Sequence, residues 1–520
     1  MTVKTTPPGT APAESGTAQQ QAQQQTRQRE PRDRGWTDIG LIPHPPHRIP
    51  VLGDVIGASP STAVQDSMRW ARELGPIFRR KVFGLEVVMV SGGDLVAELC
   101  DDSRFGKHVG LGVANLRRLA GDGLFTAHDD EPNWRRAHDI LAPGFTREAM
   151  QRYHPTMVAT ASRLVARWDR HLDGTPVDAP ADLTRLTLDT VAQTGFGFDF
   201  GCLERSEPHP FVAAMVAGLR RAQRRTIAPP LIGRALDRAA GRRDAENTAY
   251  LAGIVDEIIR ARQASSRGAS SRQAGARQAS GRTGADDLLG LMLDTAQPGT
   301  GAKLNLANVR SQVITFLVAG HETTSGALSF ALYYLIKHPD VAARAQAEVD
   351  RVWGPDDGTA PAYQQVTKLR YVRRVIDESL RLWPTAPAFS REARADTVLG
   401  GRYRMRAGAW ALVLTPMLHR DPAWGGDVDS FDPDRFAPEA VRTRPGHLFK
   451  PFGTGPRACI GRQFALHEAT LVLGMLLRRY NVHDHAGYQL KVAERLTLMP
   501  ADFTITLSRR AGHAVTGRAG

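Results

Sequence analysis

The chain has 520 residues, 42% of them hydrophobic and 23% charged, with a formal net charge of +13. That is the balance of a soluble globular protein. The excess of base does not point to nucleic acid, because much of it falls in segments that read as disordered. The three cysteines, Cys100, Cys202 and Cys459, lie 102 and 257 residues apart (202−100, 459−202), which excludes a C-x-x-C zinc or dithiol site and a disulfide framework. A reducing, cytoplasmic setting is expected, with no integral membrane anchor, since no run of about 18 apolar residues occurs.

In chain order, residues 1–35 are expected to be a disordered tail, marked by the glutamine run Gln19 to Gln25 broken at Ala22. One domain is expected over 36–510, and a second tail over 511–520. A β-rich patch falls at Val87 to Val90. Met157 to Trp168 and Val255 to Ile259 carry apolar residues at helical spacing. Arginine then recurs every five residues, at Arg262, Arg267, Arg272, Arg277 and Arg282. A period of five fits neither helix nor strand, so residues 263–284 are expected to be a low-complexity loop insert. A long helix is expected from Leu306 to His338, stopped by Pro339. Some 33 residues at a rise of ~1.5 Å give about 50 Å, enough to cross a domain. Val313, Ile314, Phe316 and Leu317 on one side of its middle, and Leu328, Phe330 and Leu332 on the other, mark it as buried all round.

Ala319-Gly-His-Glu-Thr-Thr-Ser325 interrupts that helix. A buried polar run needs a reason. Gly320 allows close approach to the backbone, and Thr323 can bond back to the Ala319 carbonyl. An acid beside an alcohol can pass protons into a dry pocket. A kink packed on another helix explains the segment equally well. His321 is expected to be a satisfied core residue, and Cys100 and Cys202 small buried hydrophobes.

Pro451-Phe-Gly-Thr-Gly-Pro-Arg-Ala-Cys459-Ile-Gly461 precedes a helix from Arg462 to about Leu477. Glycines permit a tight loop, the helix start favours negative charge, and Arg457 adds a cation. That environment favours a thiolate, the metal-binding form of cysteine. A short β-rich patch follows at Leu496 to Leu498.

Phe452-Gly-x-Gly-x-Arg-x-Cys459-x-Gly461 resembles the haem-binding signature of cytochromes P-450. Ala319 to Thr324 is similar to the family's oxygen-activating helix. Glu378-Ser-Leu-Arg381 resembles its Glu-x-x-Arg pair, and Phe431-Asp-Pro-Asp-Arg435-Phe436 its later arginine motif. The four occur in the family's order. Val375 to Arg391, Ala120 to Thr126 and Phe464 to Gly474 are similar to one group in particular, the haem domains of bacterial fatty-acid hydroxylases fused to a flavin reductase.

The resemblance implies a mainly α fold, one large helical domain with small β-sheets, and haem b buried between the long central helix and the cysteine-loop helix. It implies Cys459 as iron ligand, with Phe452 against the sulfur, and Trp134, Arg135, His138 and Arg457 as propionate partners. Glu322 and Thr323 would relay protons. Glu378, Arg381 and Arg435 would form a buried structural network. Val113, Phe125, Ala319, Ala386 and Leu496 would line the substrate pocket. Where the relatives hold a fatty-acid carboxylate with arginine and tyrosine, this chain has Leu85 and Met89. Arg80, matching an aromatic position at the pocket mouth, is expected to take over an acidic headgroup. The reaction implied is monooxygenation of a long apolar substrate, a fatty acid or related lipid. A tailoring oxidase for a polyketide or carrier-bound peptide, and a haem sensor without turnover, are the competing readings. The chain ends 61 residues after Cys459 (520−459). Either a stand-alone enzyme or a cut-off haem domain is expected, with electrons from a separate flavodoxin, ferredoxin or diflavin reductase. Lys450, Arg457 and Arg462 suggest an acidic partner.

Overall fold

The computed structural model describes residues 35–57, 59, 61–227, 230–272, 287–354 and 358–510. Gly35 apart, the two expected tails lie outside the described residues, as does the part of the arginine-repeat insert after Arg272. The described chain is mainly helical with small sheets, as expected. Its longer helices include α1 (Ala63–Leu74), α2 (Pro132–Leu141), α3 (Arg147–Trp168), α4 (Ala179–Phe196), α5 (Pro230–Arg272), α6 (Leu306–Lys337), α7 (Pro339–Trp353), α8 (Arg370–Leu382) and α9 (Arg462–Arg479).

Local chemistry sets several of these boundaries. The Thr146 hydroxyl accepts the Ala149 N–H at the start of α3, and Asp178 accepts the Ala181 N–H at the start of α4. Both are N-cap bonds, typically worth about 1 kcal/mol. Asn305 caps α6 by accepting the Asn308 N–H at 2.8 Å, and the helix ends at His338, where Pro339 opens α7. The expected span of the central helix is therefore matched at both ends. The loop insert needs correction: Gln263 to Arg272 continue α5. Its Arg, Ala, Gln and Ser residues extend an already nucleated helix, and extension requires no apolar period.

Helix α6 runs through the middle of the fold. Val313, Leu317, Leu328 and Leu332 have no solvent exposure, and α4 packs along it. Leu164 and Trp168 of α3, Leu328 and Leu332 of α6, Val372 and Ile376 of α8, and Leu473 and Leu476 of α9 belong to one apolar cluster. Each such side chain contributes about 1.5–3 kcal/mol when fully buried. Helices α6 and α9 are thereby held against each other at the centre of the molecule.

A five-stranded sheet stands to one side, built from β1 (Ile77–Val82), β2 (Leu85–Val90), β3 (Phe105–Lys107), β4 (Ala388–Ala393) and β5 (Trp410–Leu414) in the order β1-β2-β5-β4-β3. β1 pairs antiparallel with β2, Arg80 opposite Val87, and β2 runs parallel to β5. Near the C-terminus β6 (Val492–Glu494) and β7 (Leu498–Pro500) form a hairpin closed by Arg495-Leu496-Thr497. Leu496 thus lies in the hairpin loop, and the expected strand begins at Leu498. The hairpin seats tightly on α6 at Gly326, where an added Cβ would stand 2.8 Å from the Leu498 carbonyl oxygen.

Candidate functional site

The cysteine loop is fixed from both sides. The Cys459 N–H donates to the Phe452 carbonyl at 2.9 Å, and the Ala458 N–H to that of Gly455 at 3.0 Å. Gly455 has φ +62°, and a Cβ there would lie 2.2 Å from the Asp102 carboxylate, so only glycine fits. Behind the loop, His419 accepts the Lys450 N–H on Nε2 at 3.0 Å. Its other nitrogen therefore carries the proton and donates to the Arg381 carbonyl at 3.1 Å. Burial holds its pKa down to about 3, so the ring stays neutral. His419 escapes sequence reading because its partners are 31 and 38 residues away and no motif marks it.

Cys459 is solvent-accessible, yet surrounding protein pushes its thiol upward in pKa. Both hold together only if the sulfur faces an internal space lined by protein. The Gly461 N–H and the Arg462 charge act the other way and lose to burial. This corrects the sequence expectation: the loop alone does not make a thiolate, and Arg462, not Arg457, is the cation acting on it. A bound metal ion would supply the missing charge. The Arg462 guanidinium also lies 5.6 Å from the centre of the Phe452 ring.

On α6, Ala319 is exposed although its neighbours Val318 and His321 are buried. Ala386 is likewise exposed beside buried Thr385, and Phe125 is 40% exposed. Val113 and Leu496 are half-buried. Thr323 donates its hydroxyl to the Ala319 carbonyl at 2.7 Å, the back-bond expected of it. Glu322 is buried, with Oε1 3.3 Å from the Arg495 guanidinium and Oε2 accepting the Thr497 hydroxyl at 2.8 Å. His321 is only half satisfied: Nδ1 meets the Leu317 carbonyl at 2.7 Å, and among the described residues the buried Nε2 has no hydrogen-bond partner. Burial lowers its pKa, so it is neutral.

The Arg457 guanidinium lies over the Trp134 ring, 4.3 Å from its centre, and pairs with Asp129 at 3.0 Å, with a further bond to the Ala127 carbonyl. Burial lowers its pKa to about 10. Lys107 belongs to the same group. Its ammonium donates to the Phe125 carbonyl, and burial beside Arg457 lowers its pKa to about 7. Sequence reading missed Lys107; its only signal was a basic residue on a short strand. Arg135, by contrast, pairs with Asp139 four residues on at 3.1 Å, and His138 Nδ1 lies 3.6 Å from that same carboxylate. The structure thus joins Trp134 to Arg457 and sends Arg135 elsewhere.

Glu378 and Arg381 form a fully buried ion pair, and the Arg435 Nε stands 3.8 Å from Glu378. Arg435 donates to the carbonyls of Trp424 at 2.9 Å and Asp427 at 2.6 Å. Arg80, on β1, is tucked away. Its guanidinium lies 4.2 Å from the Trp70 ring and donates to Ser67 at 3.3 Å, and burial lowers its pKa to about 10.

These donors fit haem. An accessible cysteine stands at the start of α9, which packs against α6, and Arg457 and Lys107 supply cations suited to two carboxylates. Among the described residues, no helix is long and apolar enough to cross a membrane. The family model described as cytochrome P-450 matches residues 43–507. The chain is 47% identical over 446 residues to a bifunctional cytochrome P-450/NADPH–P-450 reductase of Bacillus cereus, covering 85% of this chain and 40% of that protein. It is 44% identical over 454 residues to a second such reductase fusion from Bacillus subtilis, covering 87% and 41%. A counterpart from Fusarium oxysporum is 37% identical over 480 residues, covering 91% and 43%. The chain therefore spans about two-fifths of the relatives it matches. A match across nearly all the described residues, which takes in the loop of Cys459 and the interrupted helix, means that the chain belongs to the cytochrome P-450 family.

Proposed function

We propose that the chain is a haem-thiolate monooxygenase domain that hydroxylates a long apolar substrate, a fatty acid or related lipid. The observation that carries the proposal is the solvent-accessible Cys459, held in a glycine loop at the start of α9, the helix that packs against the interrupted helix α6. Haem bound through Cys459 would supply dioxygen activation, with the thiolate favouring O–O cleavage.

The chain's own residues do the rest. Trp134, Arg457 and Lys107 hold the carboxylate edge of the haem. Thr323 and Glu322 move protons to the oxygen-binding face in a site closed by apolar neighbours. Phe125, Val113, Ala386 and Leu496 exclude water and seat the alkyl chain. Arg80 binds an acidic headgroup. The two nearby acids have arginines of their own, Asp54 with Arg48 at 2.8 Å and Asp66 with Arg69 at 3.1 Å. Among the described residues no acid lies within ion-pair distance of Arg80, so a substrate carboxylate would be its first direct counter-charge. Electrons come from an NADPH–P-450 reductase, an activity that the relatives' names place in the same chain as their cytochrome P-450. The test is turnover of a panel of fatty acids, alcohols and esters with NADPH and a supplied diflavin reductase, with products identified by mass spectrometry. Hydroxylated long-chain products are expected, and oxidation confined to short polar compounds would refute the substrate class.

A further inference from the structure

We propose that the hairpin loop Arg495-Leu496-Thr497 holds Glu322 in a withdrawn position and releases it toward Thr323 when substrate displaces Leu496. The inference rests on the reading of Glu322 and Thr323 as a proton relay. In the structure those two side chains face different partners. Both carboxylate oxygens of Glu322 engage the loop, Oε1 with Arg495 at 3.3 Å and Oε2 with the Thr497 hydroxyl at 2.8 Å. Thr323 donates to the Ala319 carbonyl. Among the described residues the two share no hydrogen bond. A carboxylate that is 1% exposed needs such compensation. Held this way, both carboxylate oxygens are engaged by the loop, and the side chain must rotate out of the clamp before it can reach its neighbour.

The sequence order of the loop couples that rotation to substrate. Leu496 stands between the two clamp residues and packs against the apolar cluster that contains Phe316 and Val318 of α6. An alkyl chain entering there competes with Leu496 for the same apolar surface. The loop cannot shift as a rigid body, because both its strands are anchored. Glu494 accepts the Val64 and Gln65 N–H groups at the start of α1, at 2.7 and 2.9 Å. Leu498 donates its N–H to the Thr385 carbonyl at 3.0 Å, and its own carbonyl abuts Gly326. Movement is therefore confined to Arg495, Leu496 and Thr497. Helix α1 also carries Ser67 and Trp70, the partners of Arg80, so the headgroup site and the relay are tied to one hairpin. Arg495 is a positioning residue: it acts through Glu322.

The test is infrared difference spectroscopy of the ferric holoprotein on adding hexadecanol, which has no carboxylate of its own, at a concentration that saturates its optical binding shift. The carboxylate stretch of Glu322, assigned by its loss in Glu322→Gln, should move on binding. In the Arg495→Met/Thr497→Val double variant it should stand at the displaced position before any ligand is added. In Leu496→Ala, hexadecanol should bind while the band stays still. A wild-type band that does not move overturns the clamp, whether or not the double variant folds. If Glu322→Gln leaves product formed per oxygen consumed unchanged, the relay reading itself fails. If it lowers that ratio while the wild-type band stays fixed, the relay stands and the clamp alone is wrong.

Discussion

Glu378 and Arg381 stand one turn apart on α8, neither exposed to solvent, and meet in a two-pronged ion pair at 2.7 and 2.8 Å. Arg381 also donates to the carbonyls of His419, Val428 and Ser430 at 3.0, 2.7 and 2.9 Å. Through His419 the pair reaches the backbone of Lys450, at the start of the cysteine loop. Burial raises the Glu378 pKa despite its arginines, so the carboxylate depends on them to stay charged. Arg381→Met should therefore lower stability by about 3–5 kcal/mol, the usual cost of leaving one buried partner uncompensated. The protein should be recovered with little haem. Glu378→Leu combined with Arg381→Met should recover part of the loss in denaturant unfolding, because no charge is then stranded.

Thr323→Ala should leave folding and haem content unchanged, since the lost hydroxyl only bonds back to its own helix. Product formed per oxygen consumed should fall by about tenfold or more, a conservative share of what a positioned proton donor contributes. Peroxide should account for the difference. Unchanged coupling, measured by oxygen electrode and product assay, would count against the relay.

Arg80→Ala should weaken binding of a long-chain fatty acid by roughly 5- to 150-fold, using about 1–3 kcal/mol for a charge-assisted bond and tenfold per 1.4 kcal/mol. The methyl ester should be nearly unaffected. The optical binding shift of both ligands, in wild type and variant, measures the difference. Equal losses for the two ligands would assign Arg80 to packing on Trp70 alone.

Glu468 of α9 is buried, and burial raises its pKa to about 8 from an ordinary value of 4.5. The Thr190 hydroxyl donates to the Leu186 carbonyl at 2.9 Å, and among the described residues neither carboxyl oxygen of Glu468 has a hydrogen-bond partner, so nothing offsets the cost of charging it. The sign follows from linkage. Between pH 4.5 and about 8 the folded state binds more protons than the unfolded one, so Glu468's contribution is full below 4.5 and fades as pH rises. Wild-type stability should fall across that window by up to a few kcal/mol on this account. Glu468→Gln should flatten the slope, seen by denaturant unfolding at several pH values.

Much of this was legible in the sequence for a physical reason: the signals were local. An apolar run ended by a proline gave the bounds of α6, and three glycines around Cys459 gave the loop. The Glu378–Arg381 pair is one helical turn. What escaped notice was long-range. Arg495 meets Glu322 across 173 residues, and His419 joins two segments more than thirty residues away. Lys107 reaches the Arg457 group from a three-residue strand. The arginine repeat misled because a period of five matches no apolar face, although a helix already under way needs no apolar period to continue, as it does to Arg272.

The central claim is that Cys459 binds haem iron as a thiolate. The direct measurement is the optical spectrum of the reduced holoprotein with carbon monoxide, for wild type and Cys459→Ser, beside Cys100→Ser and Cys202→Ser as controls. Wild type and both controls should show the strongly red-shifted Soret band of thiolate ligation, and Cys459→Ser should lose it. Retention of that band in Cys459→Ser, or its loss in Cys202→Ser with the fold intact, would contradict the assignment.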